Sequence, residues 1–346
     1  MAAFTSEEII QATGARLLKP AASVSFSDVC TDTRAIAKGS LFVAFKGTSF
    51  NGHDFVDKAL AAGAAGAVVS EVRPEYEGLT APIFVAADTL KAYQDLARFH
   101  RRRFAIPVVA VTGSVGKTST RNMIATVLSE KYRVLQTEKN FNNEIGLPKT
   151  LLQLTPDHEA CVVEMGMRGL GQIAELAAIG EPTIGVVTNV GKSHIELLGS
   201  QENIAKAKAE LVQALDEKGT AVLNGDDPFV RPMTALCKGK TVLYGTDDQA
   251  AVRADHIVCD QQGVRFHCSG AGQSFDVSVP VIGGHNVYNA LAAIAVGQLT
   301  GLSAAEIQRG LASYHGMAMR QELLRVEREA QEGIAEARAL GALPAT

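Results

Sequence analysis

The chain has 346 residues, of which 47% are hydrophobic and 20% charged, and a formal net charge of −4. That length predicts roughly two or three globular domains, each able to bury a core. The charge offers no basis for broad nucleic-acid binding. The five cysteines (Cys30, Cys161, Cys237, Cys259, Cys268) form no close-spaced metal pair, and no uncharged apolar run is long enough for a membrane span. Reduced thiols, no export signal and a cytoplasmic location are the simplest expectation.

Residues 1–103 read as a small α/β domain. Strands are expected at 41–45, 67–70 and 83–86, with helices at 55–65, ending at Gly66, and at 89–103. The second helix spaces Leu90, Tyr93, Leu96, Ala97 and Phe99 at helical intervals. Arg101-Arg102-Arg103 at its end reads as a solvated helix terminus favoured by the dipole. Residues 104–316 alternate strands (108–111, 134–137, 160–164, 184–189, 220–224) with helices (119–131, 146–154, 171–179, 200–215). That order predicts a mostly parallel sheet with helices on both faces. Shorter, more polar strands at 241–244, 256–259, 264–267 and 275–279 resemble antiparallel additions, and 283–299 returns to helix. The charged, Ala-rich stretch 317–346 reads as a short helical remnant with no room for a further domain. The expected fold class is therefore α/β, a small N-terminal α/β domain followed by a phosphate-loop domain.

The chemistry concentrates after the strand at 108–111. Thr112-Gly113-Ser114-Val115-Gly116-Lys117-Thr118-Ser119 is a Gly-containing loop leading into a helix, the setting in which backbone N–H groups and a helix N-terminus favour an anion. Lys117 can reach β/γ-phosphates and Thr118 can ligate Mg²⁺. Val111 stands where the strict pattern has its first glycine, so the loop is a variant form. A Gly-rich turn with a surface lysine is the plainer alternative. Glu164 ends a buried-type strand, where ligands collect in a parallel sheet, and a carboxylate there suits Mg²⁺ beside phosphates; an ordinary strand-end glutamate remains open. His194 follows another strand end on a Gly-containing loop. Lys206 and Lys208 lie on the helix 200–215, where a solvated charged face is the plainer reading. Asn224-Gly225-Asp226-Asp227 can meet a ribose or base, and Gly283 to Asn289 opens a helix with amide and imidazole groups; both also suit helix capping. Asn140 to Pro148 concentrates amides that either bind a polar ligand or make turns.

In this order, Thr112 to Thr118, Asn142-Asn143-Glu144-Ile145-Gly146-Leu147-Pro148, Glu164-Met165-Gly166, Asn189 to Glu196, Lys208 and Asn224 to Asp227 resemble the Mur ligase family over about residues 25–326. Within it they resemble the type that joins D-Ala-D-Ala to UDP-MurNAc-tripeptide; the sister ligase that adds the third peptide residue has Thr-Thr-Pro where this chain has Asn142 to Pro148. The resemblance implies an ATP-dependent amide ligase of peptidoglycan precursor synthesis, hence of cell-wall biogenesis, cell shape and division, acting through an acyl phosphate. It implies ATP phosphates on Lys117 and the loop residues Thr112, Gly113, Ser114, Val115, Gly116 and Ser119. A first Mg²⁺ falls to Thr118 and Glu164, a second to His194 and a carbamylated Lys208. Lys208, and not Lys206, directly precedes Ala209-Glu210 as the family pattern requires. Lys117, Lys208 and His194 are the implied catalytic residues.

By the same resemblance Asp226 and Asn289 lie near ribose and adenine. Thr31, Asp32, Arg34 and Lys46, followed by Asn51-Gly52-His53-Asp54-Phe55, match the UDP-sugar region, and Asn142 and Asn143 lie on the substrate side. The family often has Asp where this chain has Asn51. The implied partners are UDP-MurNAc-tripeptide and D-Ala-D-Ala, with no nucleic acid and no membrane insertion, and a monomer is expected. After Arg320 the family's third domain, with its Asp-Ala-Tyr-Asn-Ala-Asn-Pro motif, does not follow. The alternative is thus a weak or inactive remnant that binds nucleotide and UDP-sugar. An unrelated phosphate-loop kinase or GTPase is a third reading, weakened by the lack of an Asn-Lys-x-Asp segment.

Overall fold

In the computed structural model, residues 2–193 and 195–316 are described; the remnant expected at 317–346 lies outside them. The first domain contains β1 (Phe4–Thr5), α1 (Ser6–Thr13), β2 (Arg16–Leu17), β3 (Ser25–Phe26), β4 (Asp28–Cys30), β5 (Ser40–Val43), α2 (Val56–Ala61), β6 (Gly66–Val69), β7 (Ile83–Val85) and α3 (Thr89–Arg101). Its main sheet runs β2-β7-β6-β5-β4, with β4 to β7 parallel and β2 antiparallel at the edge. The single helix expected at 55–65 is instead a 3₁₀ turn at Gly52–Phe55 followed by the short α2. Gly63, at φ +114, turns the chain out of α2, and its N–H caps the Leu60 carbonyl. Gly66 then opens β6.

The second domain carries β8 (Val108–Thr112), α4 (Lys117–Leu128), β9 (Val134–Gln136), α5 (Gly146–Leu151), β10 (Ala160–Glu164), α6 (Gln172–Gly180), β11 (Ile184–Val187), α7 (Ile195–Leu198), α8 (Gln201–Ala214), β12 (Thr220–Asn224), β13 (Lys240–Gly245), β14 (Val252–Asp260), β15 (Gly263–Gly270), β16 (Gln273–Val279), α9 (His285–Leu299) and α10 (Ala304–Ala312). The nine strands run β16-β15-β14-β13-β12-β11-β8-β10-β9. β8 is an interior strand, flanked by β11 and β10, and buried along its whole length, as a β-branched run covered on both faces must be. Its residues alternate between two cores: Val109 and Val111 face α4 and α9, while Val108 and Ala110 face α5, α6 and α8.

The expected antiparallel additions hold only for part of the sheet. β13 pairs parallel with β12 and β14 parallel with β13; β15 pairs antiparallel with both β14 and β16, so β15 alone runs against the rest of the sheet. The link from Asn224 to Lys240 crosses back over the sheet through a 3₁₀ turn at Arg231–Leu236, so β13 enters from the same end as β12. Its polarity reflects partial exposure rather than strand direction. α10 was not anticipated, although Ser303 and Glu306 form its capping box.

The arginine cluster at the end of α3 is not a uniformly solvated terminus. Helix α3 packs on α5 and α6, and one core runs from Phe4, Leu96 and Ala97 through Leu147, Leu151 and Ile173. At the end of α3, Arg101 is buried, not solvated. Its Nε donates to the Gly180 carbonyl (3.1 Å), Nη2 to the Glu181 carbonyl (3.1 Å) and Nη1 to the Phe104 carbonyl (2.8 Å). It thus satisfies the C-terminal carbonyls of α6, which have no partner within that helix. Arg102 pairs with the Glu181 carboxylate (Nε–Oε1 2.9 Å), and Arg103 with Glu8 (2.8 Å). Next to them His100 donates from Nε2 to the Leu154 carbonyl (2.9 Å), and burial pushes its pKa down to about 4. Replacing Arg101 by alanine strands three carbonyls at the domain junction and should cost about 3 kcal/mol in urea unfolding. Arg102→Ala, removing a half-exposed pair, should cost under about 1 kcal/mol. Equal losses from the two would contradict this division of roles.

Candidate active site

The loop between β8 and α4 is held open by its neighbours. Thr112 ends β8 and donates from Oγ1 to the Met165 carbonyl (2.9 Å), joining the loop to the exit of β10. A Cβ at Gly113 would lie 1.9 Å from Thr188 Oγ1. Asn189 grips the loop tip: its Oδ1 accepts the Val115 N–H (3.0 Å), its Nδ2 donates to the Val115 carbonyl (2.8 Å), and its own carbonyl accepts the Ser114 N–H (3.0 Å). Thr188 Oγ1 donates to the same Val115 carbonyl (3.0 Å). The loop's shape is therefore set by the end of β11, leaving the first-turn N–H groups of Lys117, Thr118 and Ser119 without helical partners. Lys117 folds back, its Nζ donating to the Gly113 (2.9 Å) and Ser114 (3.3 Å) carbonyls. Gly113→Ala should displace Thr188 and open the loop, weakening nucleotide binding about tenfold or more by calorimetry while the unfolding midpoint moves only modestly. Unchanged affinity would show that the loop adapts.

Thr118 and Glu164 meet as the sequence suggested. Thr118 Oγ1 donates to Glu164 Oε2 (2.9 Å), and Asn142 Nδ2 donates to Glu164 Oε1 (2.8 Å). Glu164 is 3% exposed, and its N–H is fixed by Thr137 Oγ1 (3.1 Å). The buried Arg121 stands 3.8 Å from the same carboxylate. A hydroxyl and a carboxylate oxygen at the mouth of an anion-binding loop are the hard donors that Mg²⁺ takes together with phosphates, so these residues fit such an ion. Lys208, on α8, is 2% exposed. Burial and then the Lys117 ammonium push its pKa down to about 7. Among the described residues it makes no hydrogen bond or ion pair. His194 lies outside the described residues. Lys117 is also lowered, by burial, against the opposing pull of Glu164.

The residues expected near the nucleoside are engaged within the protein. Asn289 accepts from Thr120 Oγ1 (2.9 Å) and donates to Asn286 Oδ1 (3.0 Å), bridging α4 and α9 directly beneath the loop. Asp226 Oδ2 accepts the Thr246 N–H (2.8 Å) and hydroxyl (2.7 Å) and the Tyr288 hydroxyl (3.0 Å). Burial opposes its ionisation, but these bonds hold its pKa below the usual range. Asn143 caps α5 through the Gly146 N–H (2.9 Å), so of the two asparagines Asn142 alone reaches Glu164. A polar cleft of about 410 Å³ opens beside Lys117, walled by Asn140, Asn142, Asn143, Arg168, Gln172 and Glu175 among others.

In the first domain Thr31, Asp32 and Lys46 follow the carboxyl ends of the parallel strands β4 and β5, and Glu71 follows β6. Arg34 is exposed and pairs with Asp32 through Nη2–Oδ2 at 2.7 Å. Lys46 pairs with Glu71, which Asn51 Nδ2 also approaches (3.4 Å). His53 is buried; its Nε2 accepts the Ser70 N–H (2.9 Å), so Nδ1 carries the proton that bonds Asn51 Oδ1 (2.7 Å). Sequence reasoning missed Arg121, Thr188 and Thr120. Arg121 stands one turn after Lys117 on α4, with the apolar Ile124 and Ala125 one turn further on, and that placement was its available signal.

A mostly parallel sheet with a Gly-Lys-Thr loop facing a strand-end carboxylate defines a phosphate-loop nucleotide-binding domain, here with a second α/β domain docked on it. The comparisons place it further: the Mur ligase middle domain matches residues 111–297 and the Mur ligase family catalytic domain matches residues 25–101, and the chain belongs to the Mur ligase family. It is 46% identical over 292 residues to a UDP-N-acetylmuramoyl-tripeptide–D-alanyl-D-alanine ligase of Synechocystis, covering 83% of this chain and 61% of that protein. It is 39% identical to the Bacillus subtilis protein of the same name, covering 86% of this chain and 64% of that one. The chain thus spans a little under two thirds of the length of these curated relatives. Among solved structures, MurF from Acinetobacter baumannii superposes with a TM-score of 0.85 at 29% identity, over 92% of this chain and 70% of that one. The MurF ligase of Thermotoga maritima in complex with ADP gives 0.76 at 28% identity, over 84% and 66%. No helix among the described residues is long and apolar enough to cross a membrane.

Proposed function

We propose that the chain carries the ATP and acyl-substrate half of a ligase that joins D-Ala-D-Ala to UDP-MurNAc-tripeptide, working as a cytoplasmic monomer. The observation that carries this reading is the meeting of Lys117, Thr118 and Glu164 at one loop, with the buried Lys208 within reach of the Lys117 charge. Lys117 leaves the Gly113 and Ser114 carbonyls to bind the β- and γ-phosphates, while the first-turn N–H groups of α4 hold the remaining oxygens. Asn289 and Asp226 place the base and ribose, and Thr31, Asp32, Arg34 and Lys46 hold the UDP-sugar, with Asn142 and Asn143 lining its peptide end.

A carboxylate oxygen of the tripeptide then bonds to the γ-phosphorus as the bond to the β–γ bridging oxygen breaks and ADP leaves. The dipeptide amine attacks the resulting acyl carbon, loses its proton, and phosphate departs. Thr118 and Glu164 would hold one Mg²⁺, and Lys208 as a carbamate, with His194, a second; such ions neutralise the charge that develops on the transferred phosphoryl group. Lys208 suits carbamate formation because the neutral amine is the form that adds CO₂, and burial makes that form abundant near pH 7. Phosphate release from ATP, measured with the tripeptide precursor and with or without D-Ala-D-Ala, tests the reading. Release that depends on the precursor supports it; release indifferent to the precursor refutes it.

A further inference from the structure

We propose that Arg168 holds the terminal carboxylate of the acyl substrate in the cleft beside Lys117. This rests on the ligase reading above. Among the described arginines, only Arg16 and Arg168 make neither a hydrogen bond nor an ion pair through their side chains. Arg16 lies on the edge strand of the first domain, whereas Arg168 lines the cleft. The other arginine near the loop, Arg121, is occupied by Asn122 (Nη2–Oδ1 2.6 Å) and Glu164.

The backbone carrying Arg168 is held from both sides. Its N–H and that of Gly169 donate to Gln172 Oε1 (2.6 and 3.2 Å), and the Gly171 and Ala174 N–H groups donate to the Glu210 carboxylate (2.6 and 3.0 Å). Glu210 sits two residues beyond Lys208 on α8, so the loop and the buried lysine are fixed to the same helix. The result is an exposed guanidinium on a pinned backbone: a cation whose attachment is ordered before any ligand arrives, which lowers the cost of binding. Lys117 and the α4 N-terminus suit the compact charge of phosphates. The planar fork of Arg168, on the wall shared with Asn142 and Gln172, suits a carboxylate. Holding one carboxylate oxygen there leaves the other to face the γ-phosphate.

Calorimetric titration of the whole chain with UDP-MurNAc-tripeptide, and with the same compound amidated at its terminal carboxyl, tests this for wild type, Arg168→Lys and Arg168→Met, with ATP titrated separately. Amidation should weaken wild-type binding about tenfold; Arg168→Met should bind the acid about tenfold more weakly and lose nothing further on amidation, as a coupled pair requires. Arg168→Lys should fall between, and ATP affinity should stay within about twofold in every variant. Equal discrimination of acid from amide by wild type and Arg168→Met would overturn the proposal. A loss confined to ATP would place the guanidinium on phosphate and overturn it as well. Wild type that fails to bind the precursor would refute the ligase reading itself, and this inference with it.

Discussion

Lys208→Met should make the chain more stable and phosphoryl transfer undetectable. In wild type a lysine 2% exposed sits without a partner among the described residues, close enough to Lys117 to feel its charge. Its pKa falls from the ordinary 10.5 to about 7, so folding works against its proton. Between about pH 7 and 10.5 the unfolded chain holds that proton and the folded chain does not, so wild-type stability rises with pH across this window; below about pH 7 the deficit is constant and complete. Methionine fills a similar volume without charge. In CO₂-depleted buffer with EDTA at pH 6, Lys208→Met should therefore be about 2–4 kcal/mol more stable in urea, and the gap should close toward pH 10. Bicarbonate and Mg²⁺ should also narrow it, because a carbamate beside Lys117 and a cation is no longer an unpaired charge. A Lys208→Met variant less stable than wild type at pH 6 would show that the lysine is paired.

Lys117→Met should weaken ATP binding about 100-fold and slow phosphoryl transfer by about 10³ or more, with little change in the unfolding midpoint. Its ammonium is bonded only to carbonyls of its own loop, so the fold loses little with it. Phosphates approaching the α4 N-terminus, by contrast, lose a flexible cation placed to follow charge as it moves to the γ-phosphate. The loss should depend on the phosphate chain: large for ATP, smaller for ADP and near zero for adenosine. Adenosine affinity falling in parallel would mean that the substitution had collapsed the site.

The main sheet was readable because its strands are continuous β-branched runs. β10 and β12 fall at the expected bounds, and Glu164 lies where a strand-end ligand should. The start of α4 was read two residues late, because nothing local shows that the chain turns into helix at Gly116 and places Lys117 and Thr118 in the first turn. Three adjacent arginines look alike in sequence; only the end of α6, about eighty residues on, decides that Arg101 is the buried one. Asn142 and Asn143 show the same limit: one residue apart, one bonds Glu164 and the other caps α5. The strand direction of β13 was missed because polarity reports exposure, and direction depends on the crossover before it. Asn289 and Asp226 each bond one residue more than sixty positions away, Thr120 and Tyr288, and no pattern within a segment signals those pairings.

The proposed first half-reaction needs only ATP, Mg²⁺ and the UDP-linked precursor, so it tests the proposed site without the dipeptide. Borohydride added during turnover reduces an acyl phosphate to the alcohol, which mass spectrometry of the UDP-sugar product detects. Wild type should give the reduced product, dependent on both ATP and precursor, and Lys117→Met and Lys208→Met should give none. No reduced product from wild type that demonstrably binds both substrates, or an equal yield from Lys117→Met, would contradict the ligase reading.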